Sequence, residues 1–137
     1  MNEMPCGNNP LTLAYLGDAV FEVFVRGRAI LGSSDTTGIA AVPVNRLHRF
    51  STKYLKASAQ ALMIHRISDM LTEEERDIVR RGRNANTSNV PRKADAMDYR
   101  YATGFEALIG YLYLKKDLER LEYIMETAIA SIGPDVK

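Results

Sequence analysis

Apolar residues return every three or four positions along most of the chain, and nowhere do they alternate over a useful length. The first such run is "NNPLTLAYLGDAVFEVFVRGRAI", in which Leu13, Leu16, Val20 and Phe24 recur at helical spacing. An Asn at its head suits an N-cap, with Pro10 in the first turn. "LGSSDTTGIAAVP" (31–43) reads as a loop, and Pro43 can open the next helix, "VNRLHRFSTKYLKASAQALMIHRI", which is long enough to break near Ala57. "LTEEERDIVRRG" carries a capping box, Thr72 with Glu75, and Gly82 is expected to end it. "RNANTSNVPRK" reads as a polar, mobile loop. A long helix then runs through "MDYRYATGFEALIGYLYL", and Asp117 caps a last one, "LERLEYIMETAIASI", closed by Gly133 and Pro134. The pattern predicts an all-α fold of six or seven helices without repeats, in one domain spanning residues 1–137.

Two acids break this pattern. Asp18 follows a glycine inside "LAYLGDAVFE", and Glu106 stands inside "GFEALIGYLYL". Each has a small residue within one helical turn, Ala14 for the first and Gly110 and Thr103 for the second, so another backbone or a ligand can come close. A lone carboxylate in apolar surroundings neutralises itself or finds a cation. Two brought together repel unless a cation lies between them, and Mg²⁺ suits such a pair because it takes one or two carboxylates and fills its remaining positions with water and phosphate. Pairing with Arg26 or Arg100 is the structural alternative, and spacing alone does not choose between them.

Composition narrows the chemistry. The 137 residues are 46% hydrophobic and 26% charged, an ordinary globular mix, and charges or polar groups interrupt every apolar run before it reaches a membrane span. "MNEMPCGNNP" has neither a secretory nor a transit pattern, so a cytoplasmic location is expected. One cysteine, Cys6, allows no internal disulfide and no cysteine zinc site, and two histidines do not make a histidine-rich metal centre. Net charge is only +1, but it is segregated: Asn45 to Arg66 holds five basic residues and no acid, and Arg76 to Arg100 holds seven basic against three acidic. Such clustering suits a polyanion-binding face, with a solvated surface as the alternative.

"YLGDAVFE" closely resembles the signature helix of the ribonuclease III family, of the form "LEFLGDAVLE", and "FEALIGYLYL" resembles that family's second catalytic helix, of the form "DAFEALIGALYL". The motifs come in the right order. The chain length leaves no room for the double-stranded-RNA-binding domain of ordinary ribonuclease III, and "YRYATGFEALIGYLYL", "LHRFSTKYLKASAQA" and "VRRGRNAN" resemble the Mini-III branch, in which the nuclease domain stands alone. The likeness covers about Asn9 to Ile129. It implies the all-α ribonuclease III endonuclease fold, a homodimer with one active site for each strand of an RNA duplex, and hydrolysis giving 5′-phosphate products. Asp18 and Glu106 match the family's metal ligands and catalytic acids, implying Mg²⁺, with Mn²⁺ able to stand in. Two other acids of the larger enzymes are replaced by Ala14 and Thr103, a reduced set expected of the branch. Gly104, where relatives usually carry Ala, is a minor departure. The branch implies maturation of precursor 23S ribosomal RNA ends on a base-paired stalk, with a large-subunit ribosomal protein as a further partner.

The grip on RNA falls to the basic segments. Arg80, Arg81, Arg83, Asn84, Arg92 and Lys93 are expected on a mobile loop, and His48, Arg49 and Lys53, with Ser51, Thr52 and Lys56, on a helix. Tyr54 and Tyr99 suit core or rim better than stacking, and Glu22, one turn beyond Asp18, suits a surface acid better than a catalytic one. The rival readings are a non-catalytic duplex-RNA-binding module on the same fold and a helical interaction domain whose acids pair with arginines.

Overall fold

The computed structural model describes residues 9–33, 43–85 and 93–133. Six α-helices and a one-turn 3₁₀ helix (Ser68–Met70) account for nearly all of them, without a strand among the described residues. They are α1 (Pro10–Ser33), α2 (Val44–Leu55), α3 (Ala57–Ile67), α4 (Glu73–Arg83), α5 (Lys93–Leu114) and α6 (Leu118–Ile132). No described helix is long and apolar enough to cross a membrane.

Local chemistry sets the helix ends. Asn9 Oδ1 accepts from the Leu11 and Thr12 N–H groups at 3.0 and 3.3 Å. The Thr72–Glu75 capping box forms as expected, and Asp117 caps α6 through the Arg120 N–H. Gly133 closes α6 at φ 65°, where a side chain would be strained; Pro134 lies outside the described residues. The long helical run does break beside Ala57, because Lys56 turns to extended backbone (φ −72°, ψ 154°). Three boundaries differ from expectation. Helix α1 continues to Ser33, into the segment read as a loop. Helix α4 passes through Gly82 to Arg83, and Asn84 is its C-cap. Helix α5 starts at Lys93, so Lys93 opens a helix and does not lie on a loop.

Helix α5 is the axis of the fold, with α1, α3, α4 and α6 packed around it. Phe21 of α1 meets Phe105 of α5 edge to face, with ring centroids 5.0 Å apart. Around them Leu13, Val25, Met63, Leu108, Ile109, Leu112 and Ile124 are fully buried, which makes burial of this apolar layer the main source of stability. The buried stripe of α1 is Leu13, Gly17, Phe21, Val25 and Ala29, whereas Leu16, Val20 and Phe24 of the expected stripe are only half-buried. A glycine interrupts the true stripe, so a count of apolar residues lands on the neighbouring row.

Two glycine contacts set how closely α5 is approached. A Cβ on Gly17 would lie 1.8 Å from the Glu106 carbonyl oxygen, and one on Gly110 would lie 2.0 Å from that of Leu13. Helices α1 and α5 therefore cross backbone to backbone. Helices α4 and α5 do the same at Gly82 and Gly104, where a Cβ on Gly104 would stand 2.6 Å from the Val79 oxygen. Gly104 is thus no minor departure: the alanine expected there has no room. The buried Glu75 carboxylate ties α4 to α6, accepting from Arg120 Nε and Nη2 at 2.8 and 2.7 Å. Burial alone would raise the Glu75 carboxyl, but hydrogen bonds from Arg120 and Thr72 outweigh it and hold it below the ordinary carboxylate value.

Candidate active site

The glycine crossing puts the two intruding acids together. Asp18 directly follows Gly17 on the outer side of the contact, and Glu106 supplies the carbonyl that Gly17 faces. Asp18 is exposed and Glu106 half-buried behind it. The Glu106 carboxyl is pushed up to about 8, first by burial, then by the charge of Asp18, then by a hydrogen bond between the two carboxyl groups. A hydrogen bond from Gln60 works in the opposite direction without cancelling these effects. Neither arginine alternative is realised: Arg26 pairs with Glu22 one turn away, and Arg100 forms no ion pair among the described residues.

Gln60 is the residue the sequence reading missed. It is 1% exposed. Its Nε2 donates to the Leu55 carbonyl at 3.2 Å, covering the end of α2 that the break at Lys56 leaves free. Its Oε1 has no hydrogen-bond partner. The signal was present: Gln60 stands at i, with Ile64 and Ile67 at i+4 and i+7, as the one amide in the buried row of α3. A buried amide oxygen without a partner, next to two carboxyls that resist joint ionisation, is a donor set of hard oxygens waiting for a cation. Asp18 and Glu106 are the residues that could hold a hydrated divalent ion such as Mg²⁺ here. Among the described residues no cluster of three or more Asp, Glu, His or Cys forms, here or elsewhere, so the two acids stand as a pair. The positions of the absent acids are closed: Ala14 is buried, and Thr103 is buried with its hydroxyl donated to the Tyr99 carbonyl at 2.9 Å.

The expected RNA-binding residues fall into two groups. On α2 and at its C-cap, His48, Arg49, Thr52 and Lys56 are exposed, Lys53 is half-buried and Ser51 is buried. His48, Thr52 and Lys56 line a cleft of about 480 Å³ with Glu22 and Arg26 of α1. Glu22 is held in its pair with Arg26, as suits a surface acid. The second group is helical where a loop was expected: Arg80, Arg81 and Arg83 form the last turn of α4, and Asn84 caps it, accepting from Arg83 Nε at 3.3 Å. Arg92 lies outside the described residues. Arg80 and Arg81 share the single carboxylate of Asp77. Tyr54 is core, its hydroxyl 3.5 Å from the Gly133 carbonyl, and Tyr99 is at the rim, 36% exposed.

Comparison with known proteins points the same way as the geometry. A family model, the Ribonuclease III domain, matches residues 11–117. The Mini-ribonuclease 3 of Thermoanaerobacter sp. (strain X514) is 47% identical over 124 residues, covering 90% of this chain and 82% of that protein. The Mini-ribonuclease 3 of Symbiobacterium thermophilum is 49% identical over 119 residues, covering 87% and 86%. A crystal structure of a protein from Fusobacterium nucleatum superposes with a TM-score of 0.75 at 31% identity, covering 88% of this chain and 92% of that one. With an all-α core crossed at its two motif helices, and with relatives this similar over most of its length, the chain belongs to the ribonuclease III domain family.

Proposed function

We propose that the chain, as one domain over residues 1–137, is an endoribonuclease that cuts double-stranded RNA as a homodimer, with Mg²⁺ (or Mn²⁺ in its place) held by Asp18 and Glu106. The observation that carries this reading is the meeting of these two acids at the glycine crossing, with Glu106 pushed up to about 8 and no cationic side chain among the described residues paired to either. When bound, the ion supplies a Lewis acid for phosphodiester hydrolysis that leaves 5′-phosphate ends. The chain's own residues do the rest. Asp18 reaches solvent and the substrate, while Glu106 anchors from behind, its carboxyl steadied by Gln60. His48 on α2 and Lys56 at its C-cap line the neighbouring cleft, and Lys56, with Arg49 and Lys53 of α2 nearby, offers charge for phosphates. Arg80, Arg81, Arg83, Asn84, Arg92 and Lys93 belong to a second contact.

A homodimer supplies a second active site for the other strand. Supporting it is an apolar row along the outer side of α1, one residue in four: Leu11 (40% exposed), Tyr15 (84%), Ala19, Val23 (72%) and Leu31 (70%). On the resemblance of its motifs to the Mini-III branch, the reading extends to a natural substrate in the precursor 23S ribosomal RNA stalk, shaped by a large-subunit ribosomal protein, in the cytoplasm.

The test is a labelled long RNA duplex incubated with Mg²⁺ and with the metal chelated, beside single-stranded RNA and duplex DNA. Cutting is expected only of duplex RNA and only with metal. Glu106→Gln is expected to slow it by about two to three orders of magnitude. A duplex that is bound but never cut, with any divalent ion, returns the chain to a non-catalytic binding module.

A further inference from the structure

A second cleft, of about 270 Å³, opens between α3, α4 and α5. It is near the low end of small-molecule sites in size and has their composition, an apolar floor with a few convergent polar groups. Ile64, Leu71 and Val79 form the floor. The wall is aromatic: the His65 ring lies against Tyr101, centroids 4.4 Å apart, and the Arg83 guanidinium stands over Tyr101 at 5.6 Å. His65 Nδ1 is 2.7 Å from the Ala61 carbonyl oxygen. A carbonyl only accepts, so Nδ1 carries the hydrogen and the ring is fixed, leaving Nε2 as its remaining polar atom.

The rim is cationic. Arg76, Arg80 and Arg83 all line the cleft. Arg76 donates to the Ser68 and Asp69 carbonyls, and among the described residues neither Arg76 nor Arg83 forms an ion pair. Asp77 is the one carboxylate paired with this group, and Arg80 must share it with Arg81. Two aromatic rings, tilted 50° to each other, beside guanidinium groups match a nucleobase joined to a phosphate: the base packs on the exposed aromatic surface, and the arginines take the anion. Bases inside a duplex are already stacked and cannot enter, so the ligand is an unpaired one. His65 and Tyr101 each lie five residues along α3 and α5 from Gln60 and Glu106, roughly 7–8 Å of helix. The cleft is therefore a near neighbour of the acid pair and separate from it.

We propose that this cleft binds a single unpaired nucleotide, its base against His65 and Tyr101 and its phosphate on Arg80 and Arg83. The nucleotide comes either free from solution or from an unpaired position of an RNA. The second source rests on the reading of the chain as a duplex-RNA nuclease, and the first does not.

The chain has two histidines, so the His65 ring protons give a direct NMR readout once His48→Gln removes the other set. With divalent metal chelated, the protein is titrated with adenosine 5′-monophosphate, uridine 5′-monophosphate, adenosine and inorganic phosphate. It is then titrated with a short blunt RNA duplex and the same duplex bearing one unpaired 3′ nucleotide. The nucleotides are expected to shift the His65 signals saturably, with Kd on the order of 1 mM or tighter. Adenosine should bind about tenfold more weakly for want of its phosphate. Arg83→Gln, at a half-exposed position, should weaken the nucleotides by about as much while leaving adenosine unchanged, and Tyr101→Leu should weaken all three. A response to the extended duplex and not the blunt one identifies RNA as the source, and a response to nucleotides alone identifies the free pool. The proposal is overturned if no nucleotide or extended duplex moves the His65 signals, if inorganic phosphate reproduces the whole effect, or if Arg83→Gln changes nothing. The readout needs no cleavage: duplex cutting with a silent His65 removes this site and leaves the nuclease, and the converse result does the reverse.

Discussion

Glu106 keeps its proton to about 8, whereas an unfolded chain releases it near 4.5. Between those values the native protein holds more protons than the unfolded one, so in the absence of metal its stability falls as pH rises through that window and levels off above it. Glu106→Gln carries no such proton and should lose this slope, gaining on the parent by on the order of a few kcal/mol by pH 9. Urea titrations in chelator at each pH unit from 5 to 9 measure both curves, and parallel curves would remove from the account a Glu106 carboxyl raised by burial and by Asp18. At this scale the sequence was half legible. Asp18 and Glu106 stood out as charges in apolar runs, but Gln60 did not, because an uncharged amide barely disturbs a hydrophobic pattern and its partners, Leu55 and Glu106, come from elsewhere in the chain.

Between helices, glycine carries the geometry. Gly17 and Gly110 let α1 and α5 touch through backbone, so the crossing itself brings the backbones that carry the two acids together. Gly110→Ala puts a methyl group 2.0 Å from the Leu13 carbonyl, which no side-chain adjustment relieves. A loss of about 3 kcal/mol is expected, read as a lower urea midpoint, together with weaker Mg²⁺ binding by calorimetry in whatever fraction still folds. Unchanged stability and metal binding would show that the crossing has slack. Helix existence and most caps were readable, since Thr72 with Glu75 and Asp117 act within one turn. What escaped was the partner of each glycine. The run ending in Gly82 looked finished, because a glycine that admits a neighbouring helix is written the same way as one that stops its own. The buried face of α1 was assigned one row off for the same reason.

For the molecule as a whole, the near-zero net charge hides a division of surfaces. Basic residues gather on α2 and on the last turn of α4, and an apolar row runs along α1. Tyr15, at 84% exposed, is the largest side chain of that row, and nothing among the described residues covers it. Tyr15→Glu is expected to leave the fold intact and to give a monomer by sedimentation, with double-strand cuts falling at least tenfold. A variant that remains dimeric would move the subunit contact elsewhere. None of this surface could be ranked from sequence, since Leu11, Tyr15 and Val23 read as helical apolar positions whether they face inward or out.

Helix α2 stands apart from the rest in one respect. Among the described residues it packs mainly on α1 and α3, with Tyr54 reaching Gly133 at the end of α6; it buries just Ser51 and Tyr54, and extended backbone at Lys56 separates it from α3. The acids, by contrast, sit on helices held by the central layer. Amide hydrogens of α2 should therefore exchange through a local opening far cheaper than global unfolding, while those of α5 wait for the whole molecule. The helix bearing His48, Arg49 and Lys53 thus has a clock of its own. A ligand gripped there would be admitted and released at the rate of that small opening, while Asp18 and Glu106 keep their place on the central helices.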